Sequence, residues 1–117
     1  MKYKLTLRLM CADKAFFGPG VMQLAERIEQ GLSLRQAAQD MGMAYSKAWR
    51  IMNDFEAATG FPLVFSRRGG SGGGGSILTQ EGKRMLGGYR KFLKKTTEQC
   101  DRLFKECFAG QMIRRRN

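Results

Sequence analysis

From Thr79 to about Phe108 the chain carries a proline-free helical pattern of about 30 residues, which as one helix runs about 45 Å at about 1.5 Å per residue. Whatever fold the chain adopts must accommodate that rod. Leu86, Tyr89, Leu93, Thr96, Cys100, Leu103 and Cys107 recur at alternating spacings of three and four, a heptad seam more than three repeats long. Met85, Phe92, Phe104 and Phe108 form a second apolar stripe beside it. With two stripes, one packs on the domain and the other meets a second subunit. Leu86, Tyr89, Leu93, Cys100, Leu103 and Cys107 are therefore the expected dimer interface. The alternative is a single broad stripe buried within one chain, for which 117 residues provide little core.

Ahead of the rod the periodicity changes. Tyr3, Leu5, Leu7 and Leu9 alternate with Lys2, Lys4, Thr6 and Arg8, which predicts a β-strand with one face on a core. Gly18-Pro19-Gly20 sets a helix start, and Val21, Leu24, Ala25 and Ile28 follow at helical spacing until Gly31 offers a left-handed stop. Ser33 and Gln36 have the form of a capping box, opening a second helix of about two turns that carries Ala37, Ala38 and Met41 and ends at Gly42. A third helix begins near Tyr45 or Ser46 and runs to Thr59-Gly60, with Ala48, Ile51, Met52, Phe55 and Thr59 on one side. Two helices joined by a turn at Gly42 make a helix-turn-helix. Residues 63–68, a glycine-rich run over 69–75 and Ser76-Ile77-Leu78-Thr79 then read as a β-hairpin, the wing. The run also has the composition of a flexible linker, but a linker separates self-sufficient domains and neither flank is one.

These elements predict a mainly α fold with a small β-hairpin: a winged helix-turn-helix with an N-terminal strand and a long C-terminal dimerisation helix. The expected division is one domain, with the winged unit over 2–78, the long helix over 79–108 and a basic tail over 109–117. The chain is too short for a second, ligand-binding domain.

Lys and Arg number 21 against 10 Asp and Glu, a formal charge of +11 that points to a polyanionic partner. Nucleic acid comes first and an anionic membrane surface second; a basic balance that merely aids solubility is the third reading. No histidine is present, so the usual general base for serine or cysteine nucleophiles is missing, and imidazole is unavailable to a metal. Cys11, Cys100 and Cys107 form no CxxC pair, and Cys100 and Cys107 read as small packing residues on the seam. No enzyme activity, cofactor or metal is expected. With no signal-peptide pattern and no apolar stretch near the ~20 residues of a membrane span, the expected location is the cytoplasm, without a membrane partner.

The third helix carries the chemistry. Opposite its apolar side stand Ser46, Arg50 and Asn53, flanked by Lys47 on one edge and by Trp49 with Tyr45 on the other. Arg grips guanine bidentately and Asn does the same for adenine, while Ser and Lys at a helix start suit phosphates. An ordinary solvated face, with Trp49 at the edge of the core, is the alternative. Arg67 and Arg68 stand where the strand enters its glycine tip, and Gly70 and Gly72 let the backbone approach a duplex closely. The run lacks the Gly-Lys-Ser/Thr ending of a nucleotide-binding loop. Ser33 and Arg35 of the second helix complete the expected DNA-binding set.

The order of elements, together with Ser33-Leu34-Arg35-Gln36-Ala37-Ala38, Met41-Gly42-Met43-Ala44-Tyr45-Ser46-Lys47-Ala48-Trp49 and the glycine wing ending in Leu78-Thr79 before Glu81-Gly82, resembles the N-terminal domain of the ModE family of molybdate-responsive regulators. That domain is itself close to the LysR-type winged helix. The resemblance covers about residues 2–95. It implies that Tyr45 to Asn53 enter the major groove, that the wing touches the DNA backbone, and that a homodimer binds a palindromic operator. The oxyanion-binding domains of full-length relatives do not follow here, so molybdate and tungstate are not expected to bind this chain alone. The expected function is sequence-specific DNA-binding transcriptional regulation. A basic adaptor laid on an anionic surface by residues 83–116, or an architectural protein without sequence preference, is the alternative.

Overall fold

Among the described residues the chain forms two short hairpins and four helices. The computed structural model describes the backbone of residues 1–67 and 75–113, and the side chains of all of these except 66, 67, 112 and 113. The elements are β1 (Leu9–Cys11), β2 (Lys14–Phe17), α1 (Pro19–Glu29), α2 (Leu34–Asp40), α3 (Tyr45–Thr59), β3 (Val64–Arg67), β4 (Gly75–Leu78) and α4 (Gln80–Ile113). Each strand pair is antiparallel: Leu9 faces Phe17 in the first, and Val64 faces Leu78 in the second. The architecture is a winged helix-turn-helix.

The helix boundaries follow local chemistry. Both halves of the capping box at α2 are formed: the Gln36 N–H donates to Ser33 Oγ at 3.1 Å, and the Ser33 N–H donates to Gln36 Oε1 at 2.9 Å. Gly60 ends α3 in the left-handed region at φ 87°. At the head of α4 the Thr79 hydroxyl accepts from the Gly82 N–H at 2.8 Å and donates to the Pro62 carbonyl at 2.8 Å. The start of the rod is thereby tied to the segment leading into the wing.

Leu24, Ala25 and Ile28 of α1, Ala37 and Ala38 of α2, and Ala48, Met52 and Phe55 of α3 meet in one core. Alanines at the α2–α3 crossing let the helices of the turn pack closely. Aromatic rings fill the other side: Phe17 lies 6.2 Å from Phe55 and 4.9 Å from Tyr89 between ring centroids. A buried hydrogen bond, in which the Leu34 N–H donates to Ser76 Oγ at 3.1 Å, ties the wing to α2. Ser76→Ala leaves that N–H without its partner, and the expected loss is about 1–3 kcal/mol of unfolding free energy. Urea denaturation checks this; an unchanged midpoint would show that the bond contributes nothing.

The structure corrects two expectations. The strand predicted over Tyr3–Leu9 begins only at Leu9, and residues 1–8 lie in no strand. An alternating segment becomes a strand only beside a hydrogen-bonding neighbour, and β2, formed across a turn with Ala12 at φ 54°, pairs no further back than Leu9. Instead Tyr3 crosses to the far half of α4, where its hydroxyl donates to Asp101 Oδ1 and its ring lies 4.9 Å from Phe104. The hydrogen bond to Asp101 pushes the Tyr3 phenol up to about 12. The second correction concerns the seam. Leu86 and Tyr89, expected to face a partner, are buried in the chain's own core at 1% and 2% exposure. The Tyr89 hydroxyl donates to the Leu7 carbonyl at 2.8 Å, and burial pushes its phenol up. Winged unit and N-terminal segment cover this stretch of the rod, so the seam serves the monomer first.

Candidate nucleic-acid interface

Helix α3 separates two kinds of residue by its own geometry. Ala48, Met52 and Phe55 are buried, and about half a turn away Ser46, Arg50 and Asn53 are exposed, with Lys47 and Trp49 on either edge. Because the inward side is fixed by small and aromatic packing, the outward side is presented on a rigid rod. Among the described residues, no carboxylate pairs with Arg35, Lys47 or Arg50. Asp54, on the edge of the same face, is held by Lys14 at 2.9 Å. The acidic group nearest the cationic face is thus partly neutralised from the β1–β2 hairpin.

Tyr45 and Trp49 are placed differently from each other. Tyr45 is half-buried, whereas Trp49 is 42% exposed and so is not a core residue at the helix edge. Their rings pack edge to face, 6.2 Å apart and at 77°. The Arg35 guanidinium lies 4.0 Å above the Tyr45 ring, joining α2 to α3 across the turn. This stack joins residues ten positions apart and was not legible in the sequence, where Arg35 carried no packing signal. Ser33 is half-buried and its oxygen is engaged in capping α2. The expectations for Arg68, Gly70, Gly72 and the Arg67 side chain lie outside the described residues; the Arg67 backbone pairs with Gly75 at the described end of the wing.

On α4, Leu93 and Cys100 are half-buried and Leu103 and Cys107 exposed. Phe92 is 50% exposed and Leu103 54%. Of these outward groups Leu103 and Cys107 belong to the seam read in the sequence, whereas Phe92 lies beside it. Arg90 fixes the rod's inner side by ion pairs to Glu26 at 3.0 Å and Glu29 at 2.9 Å on α1. Among the described residues there is no cluster of three or more potential metal ligands, and no helix long and apolar enough to cross a membrane.

Fold and cationic helix face together define a winged helix-turn-helix protein. Over 86 residues, 74% of its length and 33% of the relative's, the chain is 34% identical to the DNA-binding transcriptional dual regulator ModE of Escherichia coli (strain K12). It is 33% identical over 94 residues (80% of the chain, 36% of the relative) to the transcriptional regulator ModE of Haemophilus influenzae. It is also 33% identical over 82 residues (70% and 30%) to the molybdenum transport protein ModE of Azotobacter vinelandii. No protein-family model matches the chain. Over most of its length the chain is similar to these ModE regulators, as a ModE-family N-terminal domain would be. It spans about a third of the length of the curated relatives it matches.

Proposed function

We propose that this chain is the DNA-binding part of a cytoplasmic transcriptional regulator, acting as a homodimer on a palindromic operator. The observation that carries the reading is the α3 face, on which Ser46, Arg50 and Asn53 stand exposed on a helix whose opposite side is locked into the core. Arg50 and Asn53 have the chemistry to read guanine and adenine in the major groove, with Lys47 and Arg35 toward phosphates. The wing, through Arg67, Arg68 and the backbone at Gly70 and Gly72, follows the sugar-phosphate chain. The division into a winged unit over 2–78, a dimerisation helix over 79–108 and a basic tail over 109–117 belongs to the same reading. Leu93, Cys100, Leu103 and Cys107, with Phe92 beside them, form the face offered to the second copy. A two-fold dimer then sets half-sites about 34 Å apart or a multiple of it. The reading includes no molybdate or tungstate site and no catalysis.

Selection of duplexes from a random pool tests it: an enriched palindrome is expected, and binding to anionic vesicles with no retention of duplex would replace it by the adaptor reading. On the enriched duplex, neutralising about six phosphates gives a slope of log K on log salt of about −5. Arg50→Ala is expected to relax base preference at one position at a cost of about 1–3 kcal/mol. An equal loss on scrambled DNA would remove Arg50 from the specificity-determining residues.

A further inference from the structure

Resting on the DNA-binding reading, the geometry points to a definite chemical role for Trp49: we infer that its indole reads a thymine methyl group, so that the preferred duplex carries thymine beneath it in each half-site. Trp49 stands on the same exposed face as Arg50 and Asn53, 42% exposed. Its orientation is already set within the protein, because Tyr45 packs against it edge to face and the Arg35 guanidinium lies 4.0 Å above the Tyr45 ring. A large apolar ring held in place at the edge of a polar, cationic surface is matched to an apolar group on an otherwise polar, anionic ligand. In the major groove one such group exists. Guanine and adenine present N7 and O6 or N6, cytosine presents its amino group, and thymine alone adds a methyl. Seating a polar base edge beneath the ring strips it of water with nothing offered in return, which disfavours the other bases at that position. Arg35 and Tyr45 are positioning residues in this arrangement, acting through the indole.

Uracil differs from thymine only by lacking the methyl, so duplexes enriched by the full chain from a random pool provide the test, resynthesised with deoxyuridine replacing each thymidine in turn. At one thymine per half-site the replacement is expected to weaken binding about fourfold, the worth of one buried methyl-sized group. Trp49→Ala should bind the thymine and uracil duplexes equally at that position. Trp49→Phe keeps an apolar ring without the indole N–H and should retain the difference. The inference is overturned if no thymine in the enriched duplex is sensitive to the replacement, if Trp49→Ala keeps the full penalty, or if Trp49→Phe abolishes it, the last showing that an apolar ring at this position is not what reads the methyl. In all three cases a sequence-selective duplex remains, and the DNA-binding reading survives. Failure of the pool to enrich any duplex overturns both. Because the deoxyuridine scan uses the unaltered protein, its outcome does not depend on how the variants fold.

Discussion

Phe55→Ala is expected to cost about 3–5 kcal/mol of unfolding free energy, a large share of the roughly 5–15 kcal/mol that holds a domain of this kind folded. Phe55 is fully buried and central to the aromatic cluster, with ring centroids of Phe16, Phe17 and Phe61 all within 6.2 Å. Truncation leaves a void bounded by three rings from β2 and the loop after α3, which are anchored elsewhere and cannot collapse into it. As Phe55 is also what presses α3 onto the core, loss of order in this candidate DNA-binding helix should accompany the loss of stability. Chemical denaturation followed by circular dichroism reads the first, and duplex binding at low temperature the second. Phe65→Ala is the control: Phe65 is 56% exposed on the wing, so its removal should change stability by no more than about 0.5 kcal/mol. Similar losses for the two variants would mean that the aromatic cluster is not the core of the fold.

Gly82→Ala should have the next largest effect, about 2–3 kcal/mol destabilising, despite the better helix propensity of alanine. Near the start of α4 a Cβ at this position would stand 3.1 Å from both Leu63 Cδ1 and Thr79 Oγ1, and closer still to the Leu63 carbonyl oxygen. The last of these is backbone, and the Thr79 N–H donates to the same oxygen at 3.0 Å. Helix α4 and the segment leading into β3 must separate to admit the methyl. Gly87→Ala, in the same helix, meets nothing within 4 Å and should stabilise by up to about 1 kcal/mol. Opposite signs for two identical substitutions in one helix would be read directly as a shift in melting temperature. The same sign for both would contradict the close approach at Gly82.

Elements whose boundaries are local were legible in the sequence. The Ser33–Gln36 box, the Gly60 stop and the proline-free rod each act through neighbours within a few residues, and each is found where its pattern lies. The apolar side of α3 was legible for the same reason, and with it, by subtraction, the exposed Arg50 and Asn53. What escaped depends on distant partners. Periodicity marks two apolar stripes on α4 but not which of them the chain covers with its own core, so Leu86 and Tyr89 fell on the wrong side. Alternation over residues 3–9 shows extended chain, while strand formation required β2, too short and mixed a pattern to be recognised. The Arg35–Tyr45 stack and the Lys14–Asp54 pair shape the candidate site and link residues 10 and 40 apart, beyond any local signal.

The hydrogen bond from Tyr3 to Asp101 joins residues 98 positions apart, and that separation bears on the order in which the molecule assembles. Beyond Leu7, which the buried Tyr89 already holds, this contact rests on a few exposed side chains, whereas the helix-turn-helix and the base of the wing close around a dry interior. The N-terminal strap is accordingly the last part to dock and the first to leave. Amide protons in the outer half of α4 should therefore exchange with solvent well before those of α3, which makes the end of the rod a separately melting unit attached to a stable head.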